Sequence, residues 1–137
     1  MNILVIDGMG GGIGKAVVEC LCKAKAGHVI TALGINAIAT SSMLKAGADH
    51  SATGENAIIF NTKKADIIIG SMGIVLANSM LGEVSPRIAR AVSSSNAEKI
   101  LIPTSKCSVS ITGLRDQGTA QHIEEIPELI KKILEKK

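Results

Sequence analysis

The feature that most constrains the fold is a glycine-rich stretch near the start of the sequence, VIDGMGGGIGKAV. It places five glycines in the seven positions from Gly8 to Gly14, directly after the aliphatic run of residues 2–6 and before the helix-forming residues 15–19. A continuous aliphatic run is typical of a parallel strand that is covered on both faces. Strand, glycine turn and helix in this order predict the first unit of an α/β sheet.

The spacing of these glycines distinguishes between known phosphate-binding loops. A P-loop requires Gly, four residues and then Gly-Lys-Ser/Thr, and the sequence has Met and Ala at the first and last of these positions. The G-x-G-x-x-G pattern that starts at Gly8 also fails, because position 13 is Ile. The spacing Gly8-x3-Gly12-Ile13-Gly14 resembles instead the loop of short-chain dehydrogenases, which implies a Rossmann-type nucleotide site.

In such a loop one glycine makes the sharp exit from the strand, another lets the backbone approach a pyrophosphate, and another lets the helix pack on the strand. The start of the helix offers free N–H groups and a partial positive charge to the anion. We therefore expect a phosphate-bearing small molecule, with NAD, NADP or another nucleotide as the cofactor. The alternative is that the glycines serve tight packing alone. The binding residues predicted in this segment are Gly8, Gly10, Gly12, Ile13, Gly14 and Lys15.

The chemistry of short-chain dehydrogenases does not carry over to this sequence. Those enzymes transfer protons with a Tyr and Lys pair, and this sequence contains no tyrosine. An acidic residue is expected on the ribose about 20 residues after the loop. The sequence has Leu33-Gly34-Ile35-Asn36 there, in which Asn36 can hydrogen-bond a ribose. The catalytic residues are therefore unknown.

Strands and helices alternate along the rest of the sequence. The predicted strands cover 2–6, 28–33, 49–52, 66–70 and 99–102, and the predicted helices cover 12–25, 36–45, a short segment ending near 64, 71–81, a segment restarting at 85–86, and 122–136. Residues 109–112 follow the fifth strand too closely for a crossover helix, so they are predicted as an antiparallel edge strand. The fold class is α/β, a Rossmann-like doubly wound three-layer sandwich with a mostly parallel sheet of five to six strands, in one domain over 1–137.

Further candidates follow the carboxyl ends of other strands. If the strand order is 3-2-1-4-5, the crevice at the switch point lies between the first and fourth strands. Residues Ser71, Met72 and Gly73 would then face the glycine loop, either as ligand contacts or as a plain strand-to-helix turn. Thr104-Ser105-Lys106 follows the fifth strand at the same edge, and Glu55 follows the third, either as an acid or base or as part of a capping turn.

Composition and charge limit the kinds of partner that we expect this protein to bind. A net charge of +3 with three dispersed arginines and one aromatic residue is atypical of a nucleic-acid surface. Isolated histidines and three cysteines without metal spacing predict no metal site. The uncharged span between Asp66 and Glu83, residues 67–82, is shorter than the roughly 20 apolar residues that a membrane helix needs. With no basic leader before the first strand, a cytoplasmic location is expected.

An apolar helix is predicted around residues 73–81, and one domain cannot cover all of its apolar surface. The sequence therefore predicts a homodimer.

Four segments together, IDGMGGGIGKA, ALGINAIATSSMLKAGA, ATGENAI and GIVLANSMLGEVSP, resemble a family of small bacterial proteins described as a domain of unknown function. The resemblance covers nearly the whole sequence and implies a compact Rossmann-like protein, without an activity or catalytic residue. Three functions stay open. They are a nucleotide-binding module, a small oligomeric enzyme whose site a second subunit completes (using Glu55, Lys15 or Lys106), and a structural protein with an empty Rossmann fold.

Overall fold

The computed structural model describes residues 1–115 and 117–137. The strands are β1 (Asn2–Asp7), β2 (Val29–Gly34), β3 (His50–Thr53), β4 (Ile67–Ser71) and β5 (Glu98–Ile102). The helices are α1 (Gly12–Ala24), α2 (Ala37–Lys45), α3 (Glu55–Thr62), α4 (Pro86–Ser94), α5 (Thr119–Glu124) and α6 (Ile126–Glu135). Short 3-10 turns at Met72–Val75 and Ser105–Cys107 follow β4 and β5. The five strands predicted with helical crossovers are confirmed, each to within one residue at either end.

The five strands form one parallel sheet in the order β3-β2-β1-β4-β5. β1 lies at the centre, and its Ile3 pairs with Ile30 of β2 on one side and with Ile67 of β4 on the other. The chain therefore winds outward from β1 to β3, and then restarts at β4 on the opposite side. This reversal confirms the doubly wound arrangement.

The predicted antiparallel edge strand at 109–112 is wrong, because the described residues of that segment pair with no strand. After β5, Pro103 lacks the N–H that a continuing strand would donate. The 3-10 turn at Ser105–Cys107 and the left-handed Ser108, with a φ of 53°, then direct the chain away from the sheet. The described sheet consequently has five strands, all parallel, and β5 stays at its edge.

Helices cover both faces of the sheet, because side chains alternate between the two faces along each strand. Ile3 and Val5 of β1 pack in one aliphatic cluster with α1 and α6, whereas Leu4 and Ile6 pack in a second cluster with α3 and α4. Both clusters are built from Ile, Val, Leu, Met and Ala, as the composition requires. The single aromatic residue, Phe60, is 54% exposed.

The helix predicted over 71–81 is wrong. Only the 3-10 turn Met72–Val75 forms, and it is followed by an irregular segment of residues 76–84, the 76–84 loop. Positive φ values at Asn78, Met80 and Leu81, followed by Gly82, are incompatible with a right-handed helix. The prediction of a homodimer rested on this apolar helix, so it loses that support.

The predicted helix 122–136 is divided in the structure into α5 and α6. Pro127 lies in the first turn of α6, and proline has no N–H to donate to the preceding helical turn, so the helix breaks there. By contrast, the start of α4 is confirmed: the Ser85 side chain accepts a hydrogen bond from the Ile88 N–H, and Pro86 takes the first helical position.

Candidate functional site

The glycine loop, residues 8–14, lies at the carboxyl edge of the sheet between the end of β1 and the start of α1. The direction of winding reverses beside this loop, because β1 separates β2 from β4. In open α/β sheets ligands bind at such a switch point. The strand order 3-2-1-4-5, on which the predicted crevice depended, is confirmed.

Two of the five loop glycines, Gly11 and Gly14, are required by the fold itself. Gly11 has a φ of 74°, and a Cβ there would lie 2.8 Å from the backbone of α2. At Gly14 a Cβ would lie 2.9 Å from the Cβ of Asp7, so the missing side chain lets α1 pack against β1. A Cβ at Gly8 would lie 2.9 Å from a carboxylate oxygen of Glu83, which is the end of a flexible side chain that can shift. The packing explanation is therefore sufficient at Gly11 and Gly14.

Gly10 and Gly12 are different. Neither has a positive φ, and a Cβ on either one would meet no atom within 4 Å among the described residues. Glycine at these two positions is therefore required neither by backbone conformation nor by packing. Its remaining physical advantage is that a ligand can approach the backbone closely.

The N–H groups of the glycine loop also fall into two sets, those that donate to a described acceptor and those that do not. The Gly11 N–H donates to the carbonyl of Gly8 at 2.9 Å. Within residues 1–115 and 117–137, no acceptor lies against the N–H groups of Gly10, Gly12 and Ile13. Gly12 and Ile13 belong to the first turn of α1, whose N–H groups have no partner inside the helix. These three donors, together with the partial positive charge of the helix start, can bind an anion.

Asp7, the last residue of β1, holds the glycine loop from beneath. It is only 5% exposed, and its two oxygens accept hydrogen bonds from the N–H groups of Gly8 at 2.8 Å and Gly14 at 2.6 Å. Burial raises the pKa of the Asp7 carboxyl above its ordinary value. The two hydrogen bonds act in the opposite direction, and the nearby charge of Glu83 adds to the rise. A carboxylate thus takes one of the N–H groups in the first turn of α1.

Glu83 of the 76–84 loop supplies a second carboxylate. Its Oε1 accepts a hydrogen bond from the Met9 N–H at 2.6 Å, and its Oε2 accepts one from Nδ2 of Asn36 at 2.7 Å. Asn36 Nδ2 also donates to the Met9 carbonyl at 3.0 Å, and its Oδ1 accepts from the Ala39 N–H at the start of α2. Asn36 therefore caps a helix and joins two loops, and its polar atoms are engaged away from the predicted ribose contact.

A cavity of about 730 Å³ adjoins the glycine loop. Its volume lies within the range of small-molecule sites, roughly 300 to 1,000 Å³. Aliphatic side chains of the 76–84 loop form part of the wall, and hydroxyl groups from the ends of β4 and β5 add neutral hydrogen-bonding groups. The lining residues are Asp7, Gly8, Met9, Gly10, Gly11, Gly12, Ile13, Ser71, Gly73, Ser79, Met80, Leu81, Thr104, Ser105, Cys107 and Thr119. None of these described lining residues carries a positive charge.

The structure brings most of the predicted binding residues to this cavity. Those that line it are Gly8, Gly10, Gly12, Ile13, Ser71 and Gly73. Four do not line it, for different reasons: Gly14 is packed against β1, Lys15 is exposed to solvent, Asn36 is engaged with Glu83, and Met72 is buried beside the cavity. Thr104 and Ser105, predicted at the same edge, also line the cavity.

Sequence patterns did not reveal the two carboxylates, and they assigned residues 76–81 of the 76–84 loop to a helix. Asp7 had a detectable signal, an acidic residue between an aliphatic strand and a glycine loop. Glu83 had none, because its hydrogen bond to the Met9 N–H joins residues 74 positions apart. The positions of Cys107 and Thr119 at the cavity also depend on tertiary structure alone.

The residues predicted for an enzyme are not gathered at the cavity. Glu55 lies outside the lining, accepts a hydrogen bond from the Ser85 hydroxyl and lies 3.5 Å from the guanidinium of Arg87. These contacts agree with the structural interpretation of Glu55. The side chain of Lys106 lies outside the described part of the protein. The described residues contain no cluster of three or more His, Cys, Asp or Glu side chains that could hold a metal ion.

Comparisons with known proteins give a family and a distant structural likeness. No curated protein matches the sequence. One similar solved structure is the crystal structure of a dodecameric FMN-dependent UbiX-like decarboxylase from Escherichia coli O157:H7, with 18% sequence identity and a TM-score of 0.48. The match covers 96% of this chain and 75% of that chain. Within the described residues, no helix has the length and apolar character needed to span a membrane. A family model described as domain of unknown function DUF3842 matches residues 2–135, so the chain belongs to that family.

Proposed function

We propose that this protein binds a nucleotide or dinucleotide, with a phosphate group of the ligand on the glycine loop and the remainder in the adjoining cavity. The observation that carries the proposal is the pair Gly10 and Gly12. Their side-chain positions open into free space at ordinary φ values, beside N–H groups for which the described residues provide no acceptor. A fold with an empty site would have no need of glycine at either position.

The cavity supports a ligand with an apolar ring as well as a phosphate. Its walls include Met9, Ile13, Met80 and Leu81, so a base or other ring would pack against aliphatic and thioether side chains. NAD and NADP are two candidates. β2, however, ends at Gly34 without an acidic residue for a ribose, so other nucleotides are equally compatible with the site.

A ligand screen by thermal unfolding tests the proposal. The full chain would be heated with NAD, NADP, FAD, FMN, ATP, GTP or S-adenosylmethionine at millimolar concentration. A ligand at a hundredfold excess over its Kd stabilises the folded state by about 2.7 kcal/mol, which is a readily measured rise in Tm. No shift with any of these compounds would contradict the proposal.

Matched glycine substitutions locate the binding site. Gly12→Ala adds a methyl group in open space at the glycine loop, and we expect it to retain the fold and weaken binding at least tenfold. Gly118→Ala is the control, because Gly118 also has an ordinary φ and open space around its side-chain position, but lies outside the cavity lining. Equal affinities of the two variants, measured by titration calorimetry, would exclude the glycine loop as the binding site.

Catalysis is not part of the proposal, because Glu55 is engaged with α4 and the function of Lys15 or Lys106 in a reaction has no structural support. The single domain, the homodimer and the cytoplasmic location stay predictions. Light scattering on the purified protein tests the homodimer directly.

A further inference from the structure

We infer that the site selects phosphate diesters over phosphate monoesters. Diesters here include the doubly esterified pyrophosphate of a dinucleotide and carry one negative charge on each phosphorus, whereas a monoester carries two on the same phosphorus. In nucleotide terms, a dinucleotide such as FAD or NAD is favoured over the corresponding mononucleotide. This inference rests on the proposed function and specifies its ligand class.

The first support is the charge already present beside the cavity. The carboxyl group of Asp7 lies directly beneath the glycine loop, and both of its oxygens accept backbone N–H groups. Glu83 brings a second carboxylate to the N–H of Met9. The start of a helix supplies only about half of one positive charge. When both are ionised, the two carboxyl groups together carry more negative charge than the positive charge that α1 provides.

The second support is the neutral character of the remaining donors. The N–H groups of Gly10, Gly12 and Ile13 are uncharged, as are the hydroxyls of Ser71 and the other hydroxyl side chains in the lining. None of the described lining residues is cationic, and Lys15 at the start of α1 lies outside the lining and is exposed to solvent. Neutral donors can satisfy the oxygens of a diester. A second negative charge on the same phosphate would meet the repulsion of both carboxylates, and no cation among the described lining residues would offset it.

The volume of the cavity agrees with a ligand that continues beyond the phosphate on both sides. A monoester ends at its phosphate, whereas a diester places a second group across the loop. The cavity extends from the 76–84 loop to Thr104 and Ser105 after β5 and to Thr119 of α5. It therefore provides walls on both sides of the glycine loop.

Titration calorimetry with paired probes tests the inference. The pairs are FAD with FMN, NAD with nicotinamide mononucleotide, and the methyl ester of AMP with AMP, all at pH 8 and constant ionic strength. At this pH the monoesters are dianionic, because their second pKa is near 6. The last pair differs by one methyl group and one charge. For each pair that binds, we expect the diester to bind at least tenfold more tightly than the monoester.

Substitution of Glu83 tests the cause of the selectivity. Glu83 is only partly buried, so Glu83→Gln should fold, and we expect it to reduce the diester-to-monoester affinity ratio by threefold or more. Glu128→Gln on α6 removes the same charge at an exposed position outside the cavity lining and should leave the ratio unchanged. Asp7→Asn is a second variant with the same expected direction, used after circular dichroism shows that it is folded.

The outcomes separate the inference from the proposed function. If a monoester binds the unmodified protein as tightly as its diester, or if Glu83→Gln leaves the ratio unchanged, the inference is wrong and the nucleotide site stands. If ATP or GTP stabilises the protein in the thermal screen while none of the six probes binds, the inference is wrong and the nucleotide site stands. If none of the six probes binds at millimolar concentration and no compound in the thermal screen stabilises the protein, the proposed function itself is wrong, and so is the selectivity.

Discussion

Two connections lead from the carboxyl edge of the sheet to a helix beside the cavity, and they obtain their shapes differently. The glycine loop between β1 and α1 has positive φ values at Met9 and Gly11. The connection between β4 and α4 has four positive φ values within residues 78–82, at Asn78, Met80, Leu81 and Gly82, and only the last of these residues is glycine. The glycine loop is thus shaped largely by its own sequence. The 76–84 loop is shaped by contacts, which include the backbone hydrogen bond from the Asn78 N–H to the Val84 carbonyl and the hydrogen bond from the Met9 N–H to Glu83.

The largest expected effect separates two glycines inside the glycine loop. Gly14→Ala places a Cβ 2.5 Å from the sulfur of Met43 and 2.9 Å from the Cβ of Asp7, so we expect it to lower the free energy of unfolding by about 2 kcal/mol or more. Gly12→Ala meets open space in the first turn of α1 and should be neutral or stabilising by about 0.5 kcal/mol. Urea denaturation of both variants measures the difference.

Equal stabilities of the two variants would show that the packing of α1 on β1 is looser than the structure indicates. The same comparison explains why a double substitution at Gly12 and Gly14 is a poor test of ligand binding. The change at Gly14 would disturb the fold, and any loss of affinity would then have two causes. Gly12 alone separates binding from stability.

The difference between the two connections also explains how much of the fold and of the candidate site could be predicted from the sequence. The aliphatic run of β1, the glycine loop and the strand-helix alternation are local patterns, so the parallel sheet and the position of the cavity could be predicted. The segment from Ile74 to Leu81 contains no Gly or Pro and is rich in apolar residues, so local propensity favoured a helix. Its actual turns depend on contacts with other segments, such as the hydrogen bond from the Met9 N–H to Glu83. Propensity does not encode such contacts.

A second prediction concerns the backbone of the 76–84 loop. Leu81 has a φ of 55° and is 94% exposed, so its side chain contributes little burial while its backbone is strained. Left-handed conformation costs a residue other than glycine about 1 to 2 kcal/mol, partly offset by the greater unfolded-state entropy of glycine. Leu81→Gly should therefore raise the free energy of unfolding by about 0.5 to 1 kcal/mol, measured by urea denaturation.

Leu81→Ala is the matched control for that prediction. It removes the exposed side chain but keeps a Cβ in the left-handed conformation, so its stability should equal that of the unmodified protein within about 0.5 kcal/mol. A stabilisation by alanine as large as that by glycine would assign the effect to the exposed side chain. The two loops would then no longer differ in backbone strain, although the glycine loop has a glycine, Gly11, at its left-handed position and the 76–84 loop has Leu81.

The smallest expected effect is a pH dependence that originates beneath the glycine loop. Because burial raises the pKa of Asp7 in the folded protein, the folded state binds a proton at this carboxyl more tightly than the unfolded state does. The stabilisation that comes from this tighter proton binding is complete below the ordinary pKa of 3.8 and is lost as the pH rises through the folded-state pKa.

Relative to Asp7→Asn, the unmodified protein should therefore gain stability when the pH is lowered from 7 toward 4. If the unmodified protein instead loses more stability than the variant on acidification, the hydrogen bonds from Gly8 and Gly14 outweigh burial, and Asp7 stabilises the glycine loop through its charge.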